Sequence, residues 1–414
     1  GTQDHRKICG GIGGNNLFIQ GHNHVAMKKN TVYVTQGSVW KSILLTIPMA
    51  LLILLFIAGG PPDLSSPAKG IAFLVTFVFL LVLFYLILFT GKTDRYRAIG
   101  FIALALFFAL TFIVNLVRAR GSMSFDQETL LACEIPFCHM VTTMIIIPVA
   151  LTNSIIFPGS IIGGFASIAS MLVIVIGVSL ALGRGFCSWG CFYGGWDDGA
   201  SRIMRKPTMK KINPAFRWMS FAVLLIVALT SAMTLNPAYC DWLCPFKTVT
   251  EFEKVTSFTV LMKTVVFVSL FAGLVIILPV LTGKRIQCAT FCPMGALLAL
   301  TNKINAFDVR INKTACTDCG VCVNSCPTLS LSKQDVAAGR PSITCMKCGK
   351  CVDSCKKNAI HYHIKGTPAD KNSSWARNLF LFPSYMLLVV FLGGPMQSGI
   401  IMIIHFIQTG NLIQ

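Results

Sequence analysis

Six long runs of apolar residues constrain the fold of this chain more than any other feature. They cover residues 42–58, 70–90, 99–117, 160–182, 218–234 and 262–281. Each is close to the length of about 20 residues that a helix needs to cross roughly 30 Å of hydrocarbon. The chain of 414 residues is 54% hydrophobic and only 12% charged, which excludes an ordinary water-soluble globular protein. The sequence therefore predicts a multi-pass membrane protein whose spanning segments are helices.

Two other apolar segments are less regular. Residues 378–407 are interrupted by Gly393-Gly394-Pro395, so they predict either one kinked span or a short hairpin. Residues 141–157 end at Phe157-Pro158-Gly159, directly before the next span, and we interpret them as a re-entrant or interfacial segment. The first forty residues are polar and lack the hydrophobic region of a signal peptide.

The distribution of charge predicts how the chain is oriented in the membrane. The formal net charge is +19, from 35 Lys and Arg against 16 Asp and Glu. The excess lies in the Lys28-Lys29 arm and in residues 92–97 and 202–217, whereas the loops at 59–69, 121–140 and 236–257 are neutral or acidic. The positive-inside rule then places the basic loops in the cytoplasm, with the chain in the inner membrane. Nucleic-acid binding is excluded because the positive residues are spread over short loops between spans.

Two cysteine runs near the C-terminus have the spacing that holds a pair of [4Fe–4S] clusters. The runs are Cys316-x2-Cys319-x2-Cys322-x3-Cys326-Pro327 and Cys345-x2-Cys348-x2-Cys351-x3-Cys355. In such a pair the fourth cysteine of each run ligates the cluster of the other run. We therefore assign Cys316, Cys319, Cys322 and Cys355 to one cluster, and Cys345, Cys348, Cys351 and Cys326 to the second. Structural zinc is the alternative, although a four-ligand zinc site has longer gaps between its ligand pairs. Lys356 stands where the first run has proline.

Four further cysteine pairs occur at the ends of the predicted spans. They are Cys133/Cys138, Cys187/Cys191, Cys240/Cys244 and Cys288/Cys292. The last three have the spacing Cys-x3-Cys, which places both sulfurs on one face if the segment is a helix. Arg184 and Arg285 each precede a first cysteine by three residues, so the segments around them form an internal repeat.

Counting membrane crossings indicates which of these pairs meet. Cys187/Cys191 and Cys288/Cys292 emerge on the cytoplasmic side, and Cys133/Cys138 and Cys240/Cys244 on the outer side. We expect one [4Fe–4S] cluster near each membrane face, with Arg184 and Arg285 offsetting the thiolate charge of the inner one. Zinc is the alternative for the inner four cysteines, and disulfides are the alternative for the outer four in an oxidising compartment. Faces roughly 30 Å apart are far for one electron step, so either both sites lie inside the bundle or another subunit supplies a relay.

Spans with Cys-x3-Cys-Pro ends followed by a double ferredoxin motif resemble the membrane-bound polyferredoxin family. That family includes the quinol-oxidising subunit of periplasmic nitrate-reductase systems and the membrane iron–sulfur regulator of nitrous-oxide respiration. The resemblance covers roughly residues 160–365 and implies electron transfer between a quinone or cytoplasmic donor and an acceptor across the membrane. This chain differs in its additional Cys133/Cys138 pair, in Phe192 instead of proline after Cys191, and in having no extended flavin-binding domain outside the membrane.

The predicted architecture is an all-α polytopic membrane bundle of about seven transmembrane helices with a small α+β dicluster ferredoxin-like domain. Its parts are a polar arm (1–40), the bundle (41–307), the cytoplasmic ferredoxin domain (308–365) and a C-terminal membrane segment (366–414). The expected function is electron transfer through [4Fe–4S] clusters to or from a flavoprotein, cytochrome or reductase subunit, with quinone as a further candidate. Alternatives are a subunit of a redox-driven ion pump, although the spans lack paired carboxylates, and a redox sensor.

Two carboxylates just beyond the CSWGC segment have several possible roles. Asp197 and Asp198 could relay protons or bind a quinone headgroup, or they could be solvated loop residues, one of them paired with Arg202. Histidines in or beside apolar stretches, His139 and His405, are weaker candidates for contact with a quinone or haem.

Overall fold

The computed structural model describes residues 38–58, 66–125, 140, 168–209, 212–368 and 373–412. Cys133, Cys138, most of the polar arm and the segment 141–157 lie outside these residues, so the predictions for them stay predictions. The longer α-helices are α1 (Val39–Ala58), α2 (Pro67–Thr90), α3 (Thr93–Arg120), α4 (Ile168–Ala181), α6 (Phe192–Ile203), α7 (Met219–Thr234), α8 (Phe258–Leu270), α10 (Pro293–Thr301) and α14 (Ser373–Thr409). The short ones are α5 (Phe186–Trp189), α9 (Leu278–Thr282), α11 (Val321–Ser325), α12 (Lys333–Ala337) and α13 (Lys350–Ser354).

Within the described residues, six helical segments are long and apolar enough to cross a membrane. They are Val39–Ala58, Pro67–Thr90, Thr93–Arg118, Pro214–Thr234, Phe258–Thr282 and Ser374–Thr409. A seventh span results if Leu172–Ala181 and Gly183–Trp189, which meet at a bend of 111°, count as one. The predicted all-α polytopic membrane bundle is therefore confirmed. Of the two structures predicted for residues 378–407, α14 adopts the single span, because its helix continues through Gly393, Gly394 and Pro395.

The C-terminal helix α14 packs against α1, α2 and α3. The Tyr385 hydroxyl, fully buried between them, donates a hydrogen bond to the Leu80 carbonyl, and its ring lies 4.9 Å from that of Phe84. The opposite faces of the bundle are apolar and exposed, as on α1, where Trp40, Leu44 and Leu51 are 79%, 68% and 64% exposed. Such a surface is unfavourable in water and suits contact with lipid.

The small α+β domain is built on two antiparallel strands, β3 (Phe307–Ile311) and β4 (Ile360–Ile364), with Val309 opposite Tyr362. A further two-stranded sheet, β1 (Ser124–Phe125) with β2 (Phe252–Glu253), joins two loops of the bundle. The strand pair β3–β4 packs on the membrane helices through Phe380 of α14, whose ring lies 4.7 Å from Tyr362 and 5.5 Å from Phe307. One helix thus both spans the bundle and supports the domain that carries the two cysteine runs.

Candidate iron–sulfur centres

Each Cys-x3-Cys pair marks a sharp change of backbone direction. The first cysteine lies in a helical turn, in α5 or in the π-helical turns Tyr239–Leu243 and Gln287–Phe291. The second cysteine is extended, with φ of −83° at Cys191, −78° at Cys244 and −80° at Cys292. Proline after Cys244 and Cys292 disfavours the helical conformation at those positions. The expectation of one continuous helix face is therefore replaced by a helix end, a cysteine and a new helix start.

This arrangement points backbone donors at the sulfur. The Gly295 N–H, in the first turn of α10, donates to Cys292 Sγ at 3.3 Å. Backbone N–H groups at a helix start stabilise a thiolate, because the positive end of the helix dipole faces it. The local fold therefore prepares the second cysteine for anionic ligation.

The four cysteines predicted for the inner membrane site surround a single cavity. Cys187, Cys191, Cys288 and Cys292 line a common cavity between α5, α10 and the turn that precedes α10. The remaining wall is mainly apolar or aromatic and includes Phe186, Tyr193, Phe246, Met140 and Met294. Burial raises the pKa of the Cys288 thiol although Arg285 acts to lower it, so the thiolate form needs a bound cation to persist.

Two buried arginines complete this site from the side of the ferredoxin domain. Arg285 donates to Cys288 Sγ at 3.2 Å and to the Cys187 carbonyl at 2.8 Å. Arg184 donates to the Cys288 carbonyl at 2.6 Å and to the Thr344 carbonyl at 2.7 Å. Burial disfavours the charged form of Arg285, but the Cys288 thiolate, Asp198 and Asp197 outweigh it and raise its pKa. The two cations predicted from the repeat both reach the site. Arg285 contacts the Cys288 sulfur, and Arg184 hydrogen-bonds the side chain of Cys187.

The cysteines of the ferredoxin domain divide into the two predicted groups of four. Cys316, Cys319, Cys322 and Cys355 line one cavity, and Cys326, Cys345, Cys348 and Cys351 line another. In each group the fourth cysteine comes from the other run. No three His, Cys, Asp or Glu side chains of the described residues form a site for a single metal ion. The four cysteines of a [4Fe–4S] cluster need not form a site of that kind, because each thiolate binds a different iron of the cluster.

The second ferredoxin run contacts the inner membrane site directly. Arg285 donates to Met346 Sδ at 2.8 Å, and the Ser188 hydroxyl donates to the Met346 carbonyl at 2.7 Å. Lys347 Nζ donates to Asn302 Oδ1 at 2.6 Å and to the Leu182 carbonyl at 3.1 Å. Both residues stand between Cys345 and Cys348. The ligand loop of the second run is therefore the part of the ferredoxin domain that contacts the membrane bundle here. Sequence reasoning missed this role, because the cysteine spacing does not show that Met346 and Lys347 are buried.

Asp197 and Asp198 are buried on α6 and are not solvated loop residues. Asp198 pairs with Arg202 at 3.0 Å, as one of the expectations proposed, and also with Arg97 at 3.1 Å. Asp197 accepts the Cys288 N–H at 2.9 Å. Burial raises the pKa of Asp197 to about 7, whereas Arg97 and Arg202 hold the pKa of Asp198 far below its usual value despite burial. Asp197 thus holds the backbone of the Cys288 segment, and Asp198 links α6 to Arg97 of α3.

The outer pair Cys240/Cys244 lies beside the inner cysteine segment. Tyr239 is fully buried, accepts a hydrogen bond from Gln287 Nε2 at 3.0 Å, and its ring lies 6.2 Å from that of Phe291. Tyr239 directly precedes Cys240, and Gln287 directly precedes Cys288. No described cysteine forms a disulfide with another described cysteine. The sequence did not indicate this contact, since the predicted span 262–281 separates Tyr239 from Gln287 and would place them at opposite membrane faces.

Comparisons with known families cover the same cysteines. Residues 308–356 match the 4Fe-4S dicluster domain family. Residues 164–210, 216–255 and 264–312 each match the 4Fe-4S binding domain family, and each match contains one Cys-x3-Cys pair. The internal repeat is therefore threefold and includes Cys240/Cys244, which the cation positions alone did not reveal. The fold and these matches make the chain similar to membrane polyferredoxins, because membrane-length apolar helices are combined with domains of the 4Fe-4S families.

Three relatives are similar over part of the chain. One, from Escherichia coli, is named as an electron transport protein, YccM, and is 27% identical over 169 residues, 39% of this chain and 46% of the relative. The ferredoxin-type methylamine utilization protein MauN of Methylobacillus flagellatus is 26% identical over 174 residues, 42% of this chain and 58% of the relative. An uncharacterized protein of Methanocaldococcus jannaschii is 25% identical over 173 residues, 40% of this chain and 67% of the relative. The alignments thus span about half to two thirds of the relatives' lengths, and no solved structure matches the chain significantly.

Proposed function

We propose that this protein conducts single electrons along a series of [4Fe–4S] clusters between a redox partner at the ferredoxin domain and a second partner reached through the membrane bundle. The contact that carries the proposal is made by Arg285, which hydrogen-bonds Cys288 Sγ of the membrane site and Met346 Sδ of the ferredoxin ligand loop. One side chain therefore links the two cysteine cavities, and the step between them is short.

The proposed ligands are the cysteines that share each cavity. The ferredoxin domain would hold two clusters, one on Cys316, Cys319, Cys322 and Cys355 and one on Cys326, Cys345, Cys348 and Cys351. The inner membrane cluster would be held by Cys187, Cys191, Cys288 and Cys292. The clusters supply reversible one-electron chemistry, while the chain orients them, excludes water and provides the nearby cations.

A second membrane cluster is proposed on Cys133, Cys138, Cys240 and Cys244. Support comes from the family match over residues 216–255 and from the Tyr239–Gln287 hydrogen bond of 3.0 Å, which joins the segments of Cys240 and Cys288. With these segments in contact, the two membrane clusters would be neighbours inside the bundle, and no additional relay is needed. The alternative for these four cysteines is a pair of disulfides.

The proposed location is the inner membrane, with the ferredoxin domain facing the cytoplasm. This follows from the concentration of Lys and Arg in residues 92–97 and 202–217. The proposed membrane-side partner is quinone or a flavoprotein, cytochrome or reductase subunit. An ion pump and a redox sensor are the alternatives, and each predicts a different outcome in the test below.

Metal content and a redox titration of the purified protein test the proposal. Four clusters correspond to about sixteen irons and as many sulfides per chain. Reoxidation of the reduced clusters by added quinone at turnover rates would support an electron conduit, whereas slow reoxidation would favour a sensor. Ion uptake into sealed vesicles during electron flow would favour a pump. About eight irons per chain, all in the ferredoxin domain, would overturn the proposed path through the membrane.

A further inference from the structure

The two ferredoxin runs are used differently, although their sequences are alike. In the second run, the residues between the first two cysteines are Met346 and Lys347, and both are buried against the membrane helices. The equivalent residues of the first run, Thr317 and Asp318, are exposed, as is Cys319. One cluster site is therefore enclosed between the domain and the bundle, and the other opens to solvent.

The open cavity has an apolar floor with a basic margin. Its walls contain Val321, Val336 and Ile360 together with the four cysteines of the first cluster site. Lys333, Lys356 and Lys357 line the same cavity and are exposed, whereas Asp318 is the one acidic residue among its lining residues. Apolar surface surrounded by charged groups is the usual arrangement of a transient protein interface.

The lysines of this margin outnumber the acidic residues, since Asp318 is the one carboxylate that lines the cavity with them. None of the three forms an ion pair with another described residue. Nearby carboxylates are directed elsewhere: Asp335 pairs with Arg217 at 2.6 Å, and Asp353 accepts the backbone N–H groups of Thr93 and Asp94. The cavity thus keeps a local positive charge beside a solvent-facing cluster site.

Lys356 is informative, because it departs from the pattern of the first run. There Pro327 follows Cys326, but in the second run Lys356 follows Cys355, which belongs to the open cluster site. The substitution adds a cation next to a ligand of the exposed site and leaves the enclosed site with its proline. Neither the fold nor cluster ligation requires a lysine at position 356. Its side chain lies on the exposed surface that a redox partner would contact.

We propose that this cavity, with Lys333, Lys356 and Lys357, is the docking surface for a small, soluble, acidic one-electron carrier protein. This inference rests on the proposed function, because it assigns a partner to the solvent-facing end of the same path. One electron leaves the redox group of the reduced carrier and enters the cluster on Cys316, Cys319, Cys322 and Cys355, or follows the reverse path. No bond forms or breaks. The lysines steer the carrier by long-range attraction, which raises association rates about 10- to 1000-fold and weakens with salt.

The test measures electron exchange between the full-length, cluster-loaded protein in detergent and chemically reduced flavodoxin, an acidic one-electron carrier. The second-order rate is expected to fall with increasing ionic strength for the unmodified protein. It should fall at least tenfold at low salt in the triple variant K333E/K356E/K357E, which should also lose its salt dependence. A control with the same change in charge is K92E/K206E/K303E, three lysines that are exposed and lie outside the cavity. It should keep a rate close to that of the unmodified protein.

A second measurement identifies the contact without relying on rates. Carbodiimide cross-linking of the protein to flavodoxin, followed by mass spectrometry, should yield adducts at Lys333, Lys356 or Lys357. Equal rates in both triple variants, or cross-links confined to other lysines, would overturn the docking surface. Reduction by dithionite separates this result from the wider proposal. If dithionite reduces the open cluster and electrons still reach the membrane clusters, the conduit holds whatever the carrier result.

Discussion

The carboxylate of Asp353, within the second ferredoxin run, accepts the backbone N–H of Asp94 at 2.7 Å, in the first turn of the membrane helix α3. Its other oxygen accepts the Thr93 N–H at 3.1 Å. A residue of the ferredoxin domain thus caps a transmembrane helix that precedes it by some 260 positions. The cap satisfies backbone donors that a helix start leaves without partners and holds the domain on the bundle.

Replacing Asp353 by Ala should loosen this attachment. Loss of an N-terminal cap costs about 0.5–2 kcal/mol of stability. Here the loss would weaken the contact between the ferredoxin domain and α3. Thermal unfolding followed by the visible absorbance of the clusters should therefore show a lower midpoint in the variant. Asp318→Asn removes an exposed carboxylate within the first run and should leave the midpoint almost unchanged, because Asn tolerates the left-handed φ of 49° at this position. Equal midpoints in the two variants would contradict the capping role.

The two ferredoxin glycines Gly320 and Gly349 provide a matched comparison. Each follows the second cysteine of its run with a left-handed backbone, φ being 71° and 89°. A Cβ on Gly349 would lie 2.9 Å from the Tyr362 hydroxyl and 3.1 Å from Thr93 Cβ, whereas a Cβ on Gly320 would meet no atom within 4 Å. Gly320→Ala should cost about 1 kcal/mol of backbone strain, and Gly349→Ala more, because it adds a steric clash. Unfolding in denaturant measures both, and a larger loss for Gly320→Ala would contradict the packing described for the second run.

Arg285 should raise the reduction potential of the inner membrane cluster. Its hydrogen bond to Cys288 Sγ and its buried positive charge favour the more negative, reduced state. For one electron, 59 mV corresponds to about 1.4 kcal/mol, and a hydrogen bond to a charged group contributes about 1.5–3 kcal/mol. Arg285→Gln should therefore lower the potential of this cluster by on the order of 60–130 mV in a redox titration followed by EPR.

The control for this prediction is Arg310→Gln. Arg310 lies on β3 and pairs with Asp308 at 3.3 Å, and it does not line any of the three cysteine cavities. Its replacement should leave the potential of the membrane cluster unchanged. An unchanged potential in Arg285→Gln, with iron content intact, would remove Arg285 from the proposed tuning of the cluster.

The double variant C240S/C244S tests the second membrane cluster against the disulfide alternative. Loss of one cluster would lower the iron content by about four per chain and leave the other clusters in place. A disulfide at these positions would instead leave the iron content unchanged. Because Tyr239 contacts Gln287, we also expect the EPR signals of the two reduced membrane clusters to be broadened by their mutual magnetic interaction. C187S/C191S should remove that broadening together with the inner cluster.

Much of the architecture follows from local sequence pattern. Apolar runs predict membrane helices because backbone groups in hydrocarbon must be hydrogen-bonded within their own segment. The cysteine spacings likewise predict ligand groups, since a cubane imposes its spacing on a short loop. The cavity lined by Cys316, Cys319, Cys322 and Cys355 has the composition that this spacing predicts. Arg184 and Arg285 could also be anticipated, because they recur at a fixed distance before a cysteine.

Contacts between distant segments depended on the tertiary structure alone. Nothing in the residues around Asp353 indicates that it caps α3, and nothing near Tyr239 indicates a hydrogen bond to Gln287. Such contacts depend on which helices pack against each other. The sequence does not reveal this, because the helices have similar apolar compositions and one apolar face resembles another. The sequence by itself determined that the chain crosses a membrane and groups its cysteines in fours. Only packing decided that Arg285 touches both Cys288 and Met346, because a side chain can join two sites only after the fold has brought them within hydrogen-bonding distance.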